Sequence, residues 1–420
     1  MENPKLALIP SGYQSGTVYS ILPTDGVGDF DFSRNSEATR VNKDGLIETV
    51  NNNVPRLDWL NSDCPSLLLE PQRTNLILFS EEFSGSNWVS VGTSITSNTI
   101  TSPNGQITAD KLQRTSTSAC YRIHNIYKSG AITYTTSVFI KKGSDDYFSM
   151  RAQGSYPSRV DIRFRFDTEQ IYYAQSTSNF TLINSDVQNY SNGWYRISFT
   201  YTTDTHSVVA VYFSPRASDG NIDTVDISSN SFAYVWGAQM EQEIYPTSYI
   251  KTTGSIVTRL HDFIDGAGSS SLFNSLESTF FVEMAALVNS QRTSNGIELA
   301  DVSGQNRITL QYDAFNNQIR CDVRVSNSVQ ALITTQSFDV TNFNKMAITY
   351  KLNEVKFYVN GQLISTDTLV NTFAPNTLTE VRSTIAGSSD EFINLKAKIK
   401  DLRVYNRALT QEEAIELTTT

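Results

Sequence analysis

Apolar and polar residues alternate along most of the chain with the period of a β-strand. In the stretch DIRFRFD, Ile162, Phe164 and Phe166 fall on one side and the charged residues fall on the other. Successive side chains of a strand point to opposite faces, so this pattern predicts a strand with one buried face and one wet face. AITYTTSVFIKK, GWYRISFTYTT and SVVAVYFSP have the same character, which favours an antiparallel β-sandwich over residues 76–253.

A second series of strand patterns begins after residue 271. Residues 254–271 accumulate Gly, Ser and Thr, and we expect them to form a linker. In the stretch VKFYVNGQLI the strand pattern is interrupted by Asn360-Gly361, the dipeptide best suited to a type I′ hairpin. The sequence therefore predicts a second sandwich over residues 272–420.

The closing stretch, IKDLRVYNRALTQEEAIEL, contains the most helix-like pattern of the chain. Thr410 and Glu413 have the T-x-x-E spacing of a capping box, in which each side chain bonds the backbone N–H of the other residue. The pattern predicts one short C-terminal helix that offers Ala414, Ile415 and Leu417 to the sheet.

Residues 1–75 differ in texture from both predicted sandwiches. Their apolar pieces are short and are broken by Gly, Pro and Asn, so we expect the segment to lie along another surface and to have no core of its own. The predicted fold class is all-β, with two antiparallel β-sandwich (jelly-roll) domains in tandem after this irregular N-terminal segment.

Composition and charge exclude several classes of partner. The formal net charge of −10 would repel phosphate backbones and anionic lipid, and no basic run reverses it locally, so we expect no nucleic-acid binding. No segment approaches 18 consecutive apolar residues, so we expect that the protein does not insert into a membrane. We also expect that it is made in the cytoplasm. Cys64, Cys120 and Cys321 are odd in number and far apart, and buried free thiols are expected.

Two stretches of the C-terminal region carry a family resemblance. FNKMAITYKLNEVKFYVNGQLIS and IKDLRVYNRALTQEEAIEL resemble the central hairpin and the closing strand and helix of laminin-G-type, concanavalin A-like lectin domains. The resemblance covers nearly all of residues 272–420 and implies a lectin-like sandwich. Phe343 stands where that family usually has Trp, so a Trp-based contact is not expected here.

The rest of the chain resembles modules of bacteriophage proteins. NLILFSEEFSGSNW, NGWYRISFTYTT and YVWGAQMEQEIYPTSYIKTTGSIVTR are similar to carbohydrate-binding jelly rolls of phage tail and fibre proteins, and FSRNSEATRVNKDGLIETVNNNVPRLDW and CPSLLLEPQRTNL are similar to an N-terminal phage module. The resemblance implies a tail-fibre or head-fibre protein of the virion, made in the host cytoplasm. It also implies a homo-oligomer, with a trimer favoured, and an N-terminal segment that docks to other virion proteins.

The sequence offers little for catalysis. Retaining glycosidases of the concanavalin A-like fold carry two carboxylates about 5 Å apart, usually as E-x-D-x-x-E on one strand, and no such run occurs. Glu241 and Glu243 in QMEQE come nearest, but that stretch leads into Pro246, and an ordinary strand end is the favoured interpretation. We expect no enzyme.

Sugar binding asks for a flat aromatic face and a few planar polar groups. Trp88, Tyr147, Tyr172 and Tyr173 lie near predicted turns or strand ends and are the candidate carbohydrate-binding residues. The alternative, packing in the core, is favoured for them because aromatic residues dominate sandwich cores. Tyr172 and Tyr173 are adjacent, so only one of them can face the core of a regular strand.

Asp301, Asn306 and Asp313 surround a predicted turn in ELADVSGQNRITLQYD. Lectin-like domains of this kind often hold Ca²⁺ through loop oxygens, and calcium takes six to eight oxygen ligands. These residues are the candidate metal ligands, and turn capping by Asp and Asn is the favoured alternative.

Two hypotheses for function follow. In the first, the protein is a virion appendage that binds host-surface polysaccharide through its β-sandwiches, with weak sites adding through repetition on the particle. In the second, the sandwiches are architectural spacers or decoration without a ligand. A polysaccharide depolymerase is the least favoured interpretation.

Overall fold

The computed structural model describes residues 2–289, 295–313, 317–335, 338–368, 370–383 and 395–419. Antiparallel β-strands make up most of this part of the chain, and its one α-helix lies near the C-terminus. The predicted all-β fold class is confirmed. Among the described residues, no helix has the length and apolar character needed to span a membrane.

Short strands predominate at the N-terminus, and longer ones follow them along the chain. The first strands are β1 (Leu6–Leu8), β2 (Tyr13–Gln14), β3 (Thr17–Val18), β4 (Phe30–Ser33), β5 (Ala38–Val41), β6 (Ile47–Val50), β7 (Leu57–Asp58), β8 (Ser66–Leu69), β9 (Arg73–Asn75), β10 (Trp88–Val91), β11 (Thr93–Thr101), β12 (Ile107–Arg114), β13 (Tyr121–Tyr127) and β14 (Thr133–Lys142). They are followed by β15 (Tyr147–Gln153), β16 (Arg159–Arg165), β17 (Gln170–Thr177), β18 (Thr181–Tyr190), a 3-10 turn (Ser191–Gly193), β19 (Trp194–Thr202), β20 (Val208–Arg216), β21 (Phe232–Glu241), β22 (Val257–Arg259) and β23 (Phe263–Asp265). The last are β24 (Ser278–Ala286), β25 (Asn295–Ala300), β26 (Arg307–Asp313), β27 (Gln318–Val325), β28 (Ser328–Thr334), β29 (Asn344–Lys351), β30 (Glu354–Val359), β31 (Gln362–Asp367), β32 (Glu380–Arg382), β33 (Ala397–Tyr405) and the helix α1 (Gln411–Thr418).

The chain divides into two compact units that do not follow chain order. Unit 1 comprises Met1–Glu37, Val50–Gln72 and Leu260–Thr420, and unit 2 comprises Ala38–Thr49 and Arg73–Arg259. The division differs from the predicted one in two respects. Most of the N-terminal segment belongs to the same unit as the lectin-like region, and the predicted linker contains β22 and β23, which pair with β9 and β4.

N-terminal strands complete the largest sheet of unit 1, whose order is β31-β30-β29-β24-β33-β8-β7. One edge of β33 pairs with β24, and the other edge pairs with β8 and then with β1, from Leu6 opposite Val404 to Leu8 opposite Leu402. An uncovered edge would expose a row of backbone N–H and C=O groups. The short apolar pieces LAL and SLLL, buried throughout, cover that edge.

Two buried arginines bind the N-terminal segment to Asp262, the residue that directly precedes β23. Arg34 Nη1 donates a hydrogen bond to Asp262 Oδ1 at 2.9 Å, and Arg56 bonds both Asp262 and Glu70. The side chains of Arg34, Arg56 and Asp262 are 0% exposed. Burial alone would lower the pKa of Arg56, but Asp262 and Glu70 outweigh it and raise that pKa above its ordinary value. The guanidinium therefore stays charged inside unit 1.

The local signals near the C-terminus are confirmed. Thr410 caps α1, and its Oγ1 accepts a bond from the Glu413 N–H while the Glu413 carboxylate accepts one from the Thr410 N–H. Ala414 and Leu417 are buried against the outer face of the largest sheet, with Ile415 packed beside them. The hairpin between β30 and β31 turns at Asn360-Gly361, where both residues have positive φ, 48° and 78°.

Unit 2 is a sandwich of two six-stranded antiparallel sheets, and the structure describes all of its residues. The sheet orders are β10-β13-β20-β15-β16-β17 and β11-β12-β21-β14-β19-β18. As DIRFRFD predicts, Ile162, Phe164 and Phe166 enter the core between the sheets. Trp194 and Trp236, on the other sheet, are also buried, each 1% exposed.

Replacing Arg56 by methionine should lower the free energy of unfolding of unit 1 by about 3–5 kcal/mol, because Asp262 and Glu70 would lose a charge partner inside the protein. The surface variant Lys351→Met, which removes an exposed ion pair with Glu354, should change it by less than about 0.5 kcal/mol. Chemical denaturation of the full chain measures both. Equal free energies of unfolding for the two variants would contradict a stabilising role of Arg56 in unit 1.

Candidate functional site

One face of the sheet β10-β13-β20-β15-β16-β17 packs on the core of unit 2, and the other points away from it. On β15, Phe148 and Met150 belong to the core, so their neighbours Tyr147, Ser149 and Arg151 point outward. The same alternation on β16 turns its charged residues outward. We call the outward residues of β15–β17 the Tyr/Arg face; they are Tyr147, Ser149, Arg151, Arg159, Asp161, Arg163, Arg165, Tyr172 and Tyr173.

A β-bulge places both adjacent tyrosines of β17 on this face. Arg163 pairs with Tyr173, but the next pair along is Phe164 with Ile171, so Tyr172 is an extra residue without a direct partner. A bulge puts two residues of one strand opposite one residue of the other. Ile171 packs against the core, and the rings of both tyrosines are left on the outer side.

The aromatic rings of the Tyr/Arg face lie against one another and against arginines. The Tyr172 ring meets the Tyr147 ring edge-on, with centroids 6.1 Å apart. The Arg163 guanidinium lies 3.9 Å from the centroid of Tyr173, and Arg165 lies 5.4 Å from that of Tyr147. Tyr172 is 39% exposed and offers the most open of these three rings.

A loop of residues 217–226 borders the Tyr/Arg face and supplies its acidic groups. Asp219 Oδ1 accepts hydrogen bonds from Arg163 Nη1 at 2.7 Å and from the Tyr172 hydroxyl at 2.6 Å. Arg163 Nε also donates to Asn221 Oδ1 at 3.1 Å. The loop thus brings the carboxylate of Asp219 to the hydroxyl of Tyr172.

The second part of the face is a network around Arg151, whose side chain is 4% exposed. Arg151 donates from Nε to Asp161 Oδ1 at 2.6 Å and from Nη1 to Asp223 Oδ2 at 3.0 Å. Arg159 Nε donates to the other oxygen of Asp161 at 2.8 Å. Charge-assisted bonds of this kind fix planar groups in defined orientations.

The loop is anchored by buried contacts at its centre and its end. Ile222 is 0% exposed and packs on Ala210 and Tyr212 of the sheet. Asp226 is buried near Arg216 and accepts bonds from the N–H groups of residues 217 and 218. Asp219 and Asp223 are therefore held in place rather than left on an unsupported loop.

Contacts with the Tyr/Arg face lower the pKa values of two carboxyl groups of the loop, those of Asp219 and Asp223. Partial burial would raise the pKa of Asp219, but bonds from Tyr172 and Arg163 outweigh it and lower that pKa. The same balance with Arg151 lowers the pKa of Asp223. Burial and the bond to Asp219 raise the pKa of Tyr172. At neutral pH the ionised carboxylate of Asp219 therefore lies beside the protonated phenol of Tyr172.

Trp88, the fourth aromatic candidate, does not belong to this face. Its ring is 4% exposed and packs on Phe83, Phe213 and His124, with centroids 4.9, 5.7 and 5.0 Å away. Its Nε1 donates to the carbonyl of Phe79 at 2.9 Å, so the polar edge is satisfied inside the protein. Trp88 is a core residue and is removed from the sugar-binding candidates.

The candidate calcium residues form a turn between β25 and β26. Both oxygens of the Asp301 carboxylate accept bonds from Ser303 Oγ, and one also accepts from Asn306 Nδ2 at 2.8 Å. Asn306 Oδ1 accepts from the N–H of Ser326 at 2.9 Å. The side chain of Asp313 lies outside the described part of the structure. The oxygens of Asp301 and Asn306 thus cap the turn, which is the alternative that the sequence favours.

No cluster of three or more His, Cys, Asp or Glu that could hold a metal occurs in the described ranges. Glu241 is 0% exposed, and its carboxylate accepts from the Thr247 hydroxyl and, at 3.0 Å, from the Thr247 N–H. Glu243 pairs with Arg73. Both glutamates therefore stabilise the chain after β21.

The polar half of the site is not predictable from the sequence. The alternation in DIRFRFD predicts that Arg163 and Asp161 lie on its wet face, but nothing local to that stretch indicates the partners of these residues. Tyr156, 74% exposed in the turn between β15 and β16 with Arg159 5.7 Å from its ring centroid, was also missed. The alternation of arginine with core residues was the available signal.

Comparison with known proteins bears on part of unit 1. Residues 272–414 match the concanavalin A-like lectin/glucanases superfamily. This match confirms the lectin-like domain that the sequence predicts for residues 272–420. A search of curated proteins found no match to the chain.

Several solved structures show a distant likeness. The CBM40 of the Ruminococcus gnavus IT-sialidase bound to α2,3-sialyllactose is 13% identical over 37% of this chain and 93% of that chain, with a TM-score of 0.29. Domain 4 of a GH43 extracellular arabinanase from Geobacillus stearothermophilus with arabinotriose is 15% identical over 42% and 84%, with a TM-score of 0.31. A heptameric SAP-like pentraxin from Limulus polyphemus is 13% identical over 34% and 70%, with a TM-score of 0.30. Likenesses this distant say nothing about the ligand of this chain.

The imidazole of His124 should remain neutral down to low pH. Burial lowers its pKa to about 4, and its Nε2 accepts the N–H of Leu78 at 3.4 Å. The unfolded chain takes up this proton below about pH 6.5, so the stability that the neutral ring contributes is present above pH 6.5 and is lost as the pH falls towards 4. Burial raises the pKa of Asp110 to about 6, which acts in the opposite direction, so the ring should be followed directly.

An NMR titration of the imidazole protons measures the pKa of His124, and the variant His124→Gln identifies its resonance. We expect no shift of the resonance between pH 8 and pH 5. A midpoint near pH 6.5 would contradict the burial of this ring.

Proposed function

We propose that the protein binds glycan through the Tyr/Arg face of unit 2. The observation that carries the proposal is the presence of three tyrosine rings, those of Tyr147, Tyr172 and Tyr173, beside fixed arginine–aspartate pairs on one outward sheet face. A pyranose presents an apolar side that packs on an aromatic ring and hydroxyls that need planar polar partners. This face offers both.

The rigidity of the face supports the same proposal. The arginines that would meet a ligand are already bonded to carboxylates, and Ile222 and Asp226 anchor the loop that carries Asp219. A ligand group placed there finds its partners in position, so little conformational entropy is lost on binding. Any single shallow site of this kind would bind weakly, and repetition on a particle would add to its strength.

Replacing Tyr172 by alanine should weaken glycan binding about tenfold, because a stacking contact worth roughly 1.5 kcal/mol is lost. Tyr172→Phe keeps the ring and should retain more of the affinity than the alanine variant. Tyr127→Ala is the matched control, since Tyr127 lies on β13 of the same sheet, is 83% exposed and is outside the Tyr/Arg face.

A glycan array with the full chain identifies the ligand, and titration calorimetry gives the affinities. Absence of binding on the array would favour the purely architectural alternative. Equal affinities of Tyr172→Ala and wild type would place the site elsewhere. Release of reducing ends from capsular polysaccharide would establish a depolymerase, against the proposal of a non-catalytic role.

We further propose, from the sequence resemblance alone, that the protein is a homo-oligomeric head-fibre or tail-fibre appendage of a phage virion and binds host-surface polysaccharide. In this proposal the N-terminal segment contacts other virion proteins. Since β1 and β8 lie inside the largest sheet of unit 1, docking would use exposed residues of the segment, such as Tyr19 and Ile21, which are 37% and 44% exposed.

Labelled protein should appear on purified virions by electron microscopy at repeated, symmetric positions. The variant Ile21→Asp, which introduces a charge at an exposed apolar position, should reduce incorporation while leaving unit 1 folded. Virions without label would contradict the placement, and unchanged incorporation of the variant would contradict this docking surface.

A further inference from the structure

We infer that the Tyr/Arg face takes an uncharged, polyhydroxylated sugar rather than a glycan that carries carboxylate, sulfate or phosphate groups. This inference rests on the proposed glycan binding and narrows the class of ligand. It comes from the balance of charge on the face and from the kinds of hydrogen-bonding group that remain open there.

The Tyr/Arg face and the loops that adjoin it together hold as many carboxylates as guanidinium groups. Each of its four arginines is bonded to an aspartate on the sheet or in an adjoining loop. The pairs are Arg151 with Asp161 and Asp223, Arg159 with Asp161, Arg163 with Asp219, and Arg165 with Asp167. Four guanidiniums therefore stand against four carboxylates, and no excess positive charge is left for an anion.

An acidic ligand would also be repelled by the exposed carboxylates of Asp219 and Asp223. The Asp219 and Asp223 side chains are 54% and 41% exposed, whereas the Arg163 and Arg151 side chains that they bond are only 16% and 4% exposed. A ligand approaching this part of the face reaches the carboxylates first. Like charges at close range repel, and the repulsion is strongest where water is excluded.

Hydroxyl groups suit these exposed pairs better than any anion does. An ionised carboxylate can only accept hydrogen bonds, and a guanidinium can only donate them. In the Arg163–Asp219 pair the two kinds of group are bonded at 2.7 Å, so they stand side by side. Two neighbouring hydroxyls of a sugar can donate to Asp219 and accept from Arg163 at once, while the ionised group of an acidic sugar, placed at this pair, has no hydrogen to donate to Asp219.

The aromatic side of the face agrees with the polar side. The Tyr172 hydroxyl already donates to Asp219 at 2.6 Å, which fixes the ring next to the same carboxylate. A sugar ring packed on Tyr172 would therefore bring its hydroxyl edge to the Arg163–Asp219 pair. Packing and hydrogen bonding would act on one saccharide unit.

The test compares neutral hexose oligosaccharides with the matching uronic acid oligosaccharides, each in a matched set of linkages, by titration calorimetry on the full chain at 20 mM and 300 mM NaCl. We expect a neutral member of the set to bind at least tenfold more tightly than its acidic counterpart. Its affinity should change less than twofold with salt, since no net charge is paired on binding.

The variant Asp219→Asn sharpens the test, because asparagine can still accept from Arg163 but leaves the face with one excess positive charge. We expect affinity for the neutral sugar to fall at least fivefold and the preference for neutral over acidic ligand to shrink. Asp186→Asn, at an exposed position on β18 of the other sheet, is the matched control and should change neither. Thermal melting checks that both variants are folded.

The outcomes separate this inference from the proposed function. Tighter binding of an acidic oligosaccharide, with an affinity that falls as salt rises and with Tyr172→Ala still weakening it, would overturn the inference and leave the glycan-binding face standing. Absence of binding by every member of both sets would count against both.

Discussion

Asp262 is the point at which distant parts of unit 1 are held together. Its carboxylate accepts from Arg34, from Arg56 and from the backbone N–H of Glu70, and all of these groups are buried. A carboxylate in that position would be strongly destabilising without its partners. These contacts join the N-terminal residues to the chain just before β23. The pairing of β1 and β8 with β33 joins them to the lectin-like region.

The Tyr/Arg face depends on a comparable constraint at smaller scale. Without the bulge in β17, one of its two adjacent tyrosines would turn inward; with it, Ile171 fills the core and both rings remain outside. The loop of residues 217–226 then adds the carboxylates that the strands lack. Its own anchor, Ile222, packs on the same outward side of the sheet. Two features thus form the site: the β-bulge in β17 and the loop of residues 217–226, which packs on the same sheet.

The features that could be predicted from the sequence are those encoded by neighbouring residues. Alternation in DIRFRFD, positive φ at Asn360-Gly361 and the capping box of Thr410 and Glu413 each need only a few adjacent side chains, and each is present in the structure. The partner of LAL lies at Leu402–Val404, almost four hundred positions away, and three apolar residues contain no information about it. Likewise, nothing in the sequence near Trp88 shows that His124 and Phe213 enclose its ring.

The pairing of Leu6 with Val404 also sets an order of events during synthesis. Unit 2 is almost continuous in the chain, so its sheets can form once residue 259 has left the ribosome. The strands β1 and β8 must wait for their partner β33, which leaves the ribosome only after all of unit 2. Contacts between residues so far apart in the chain are slow to form, and unpaired strands exposed in the meantime are prone to associate with other chains. Completion of the largest sheet of unit 1 therefore follows the synthesis of unit 2, and β1 and β8 lack their partner β33 throughout that interval.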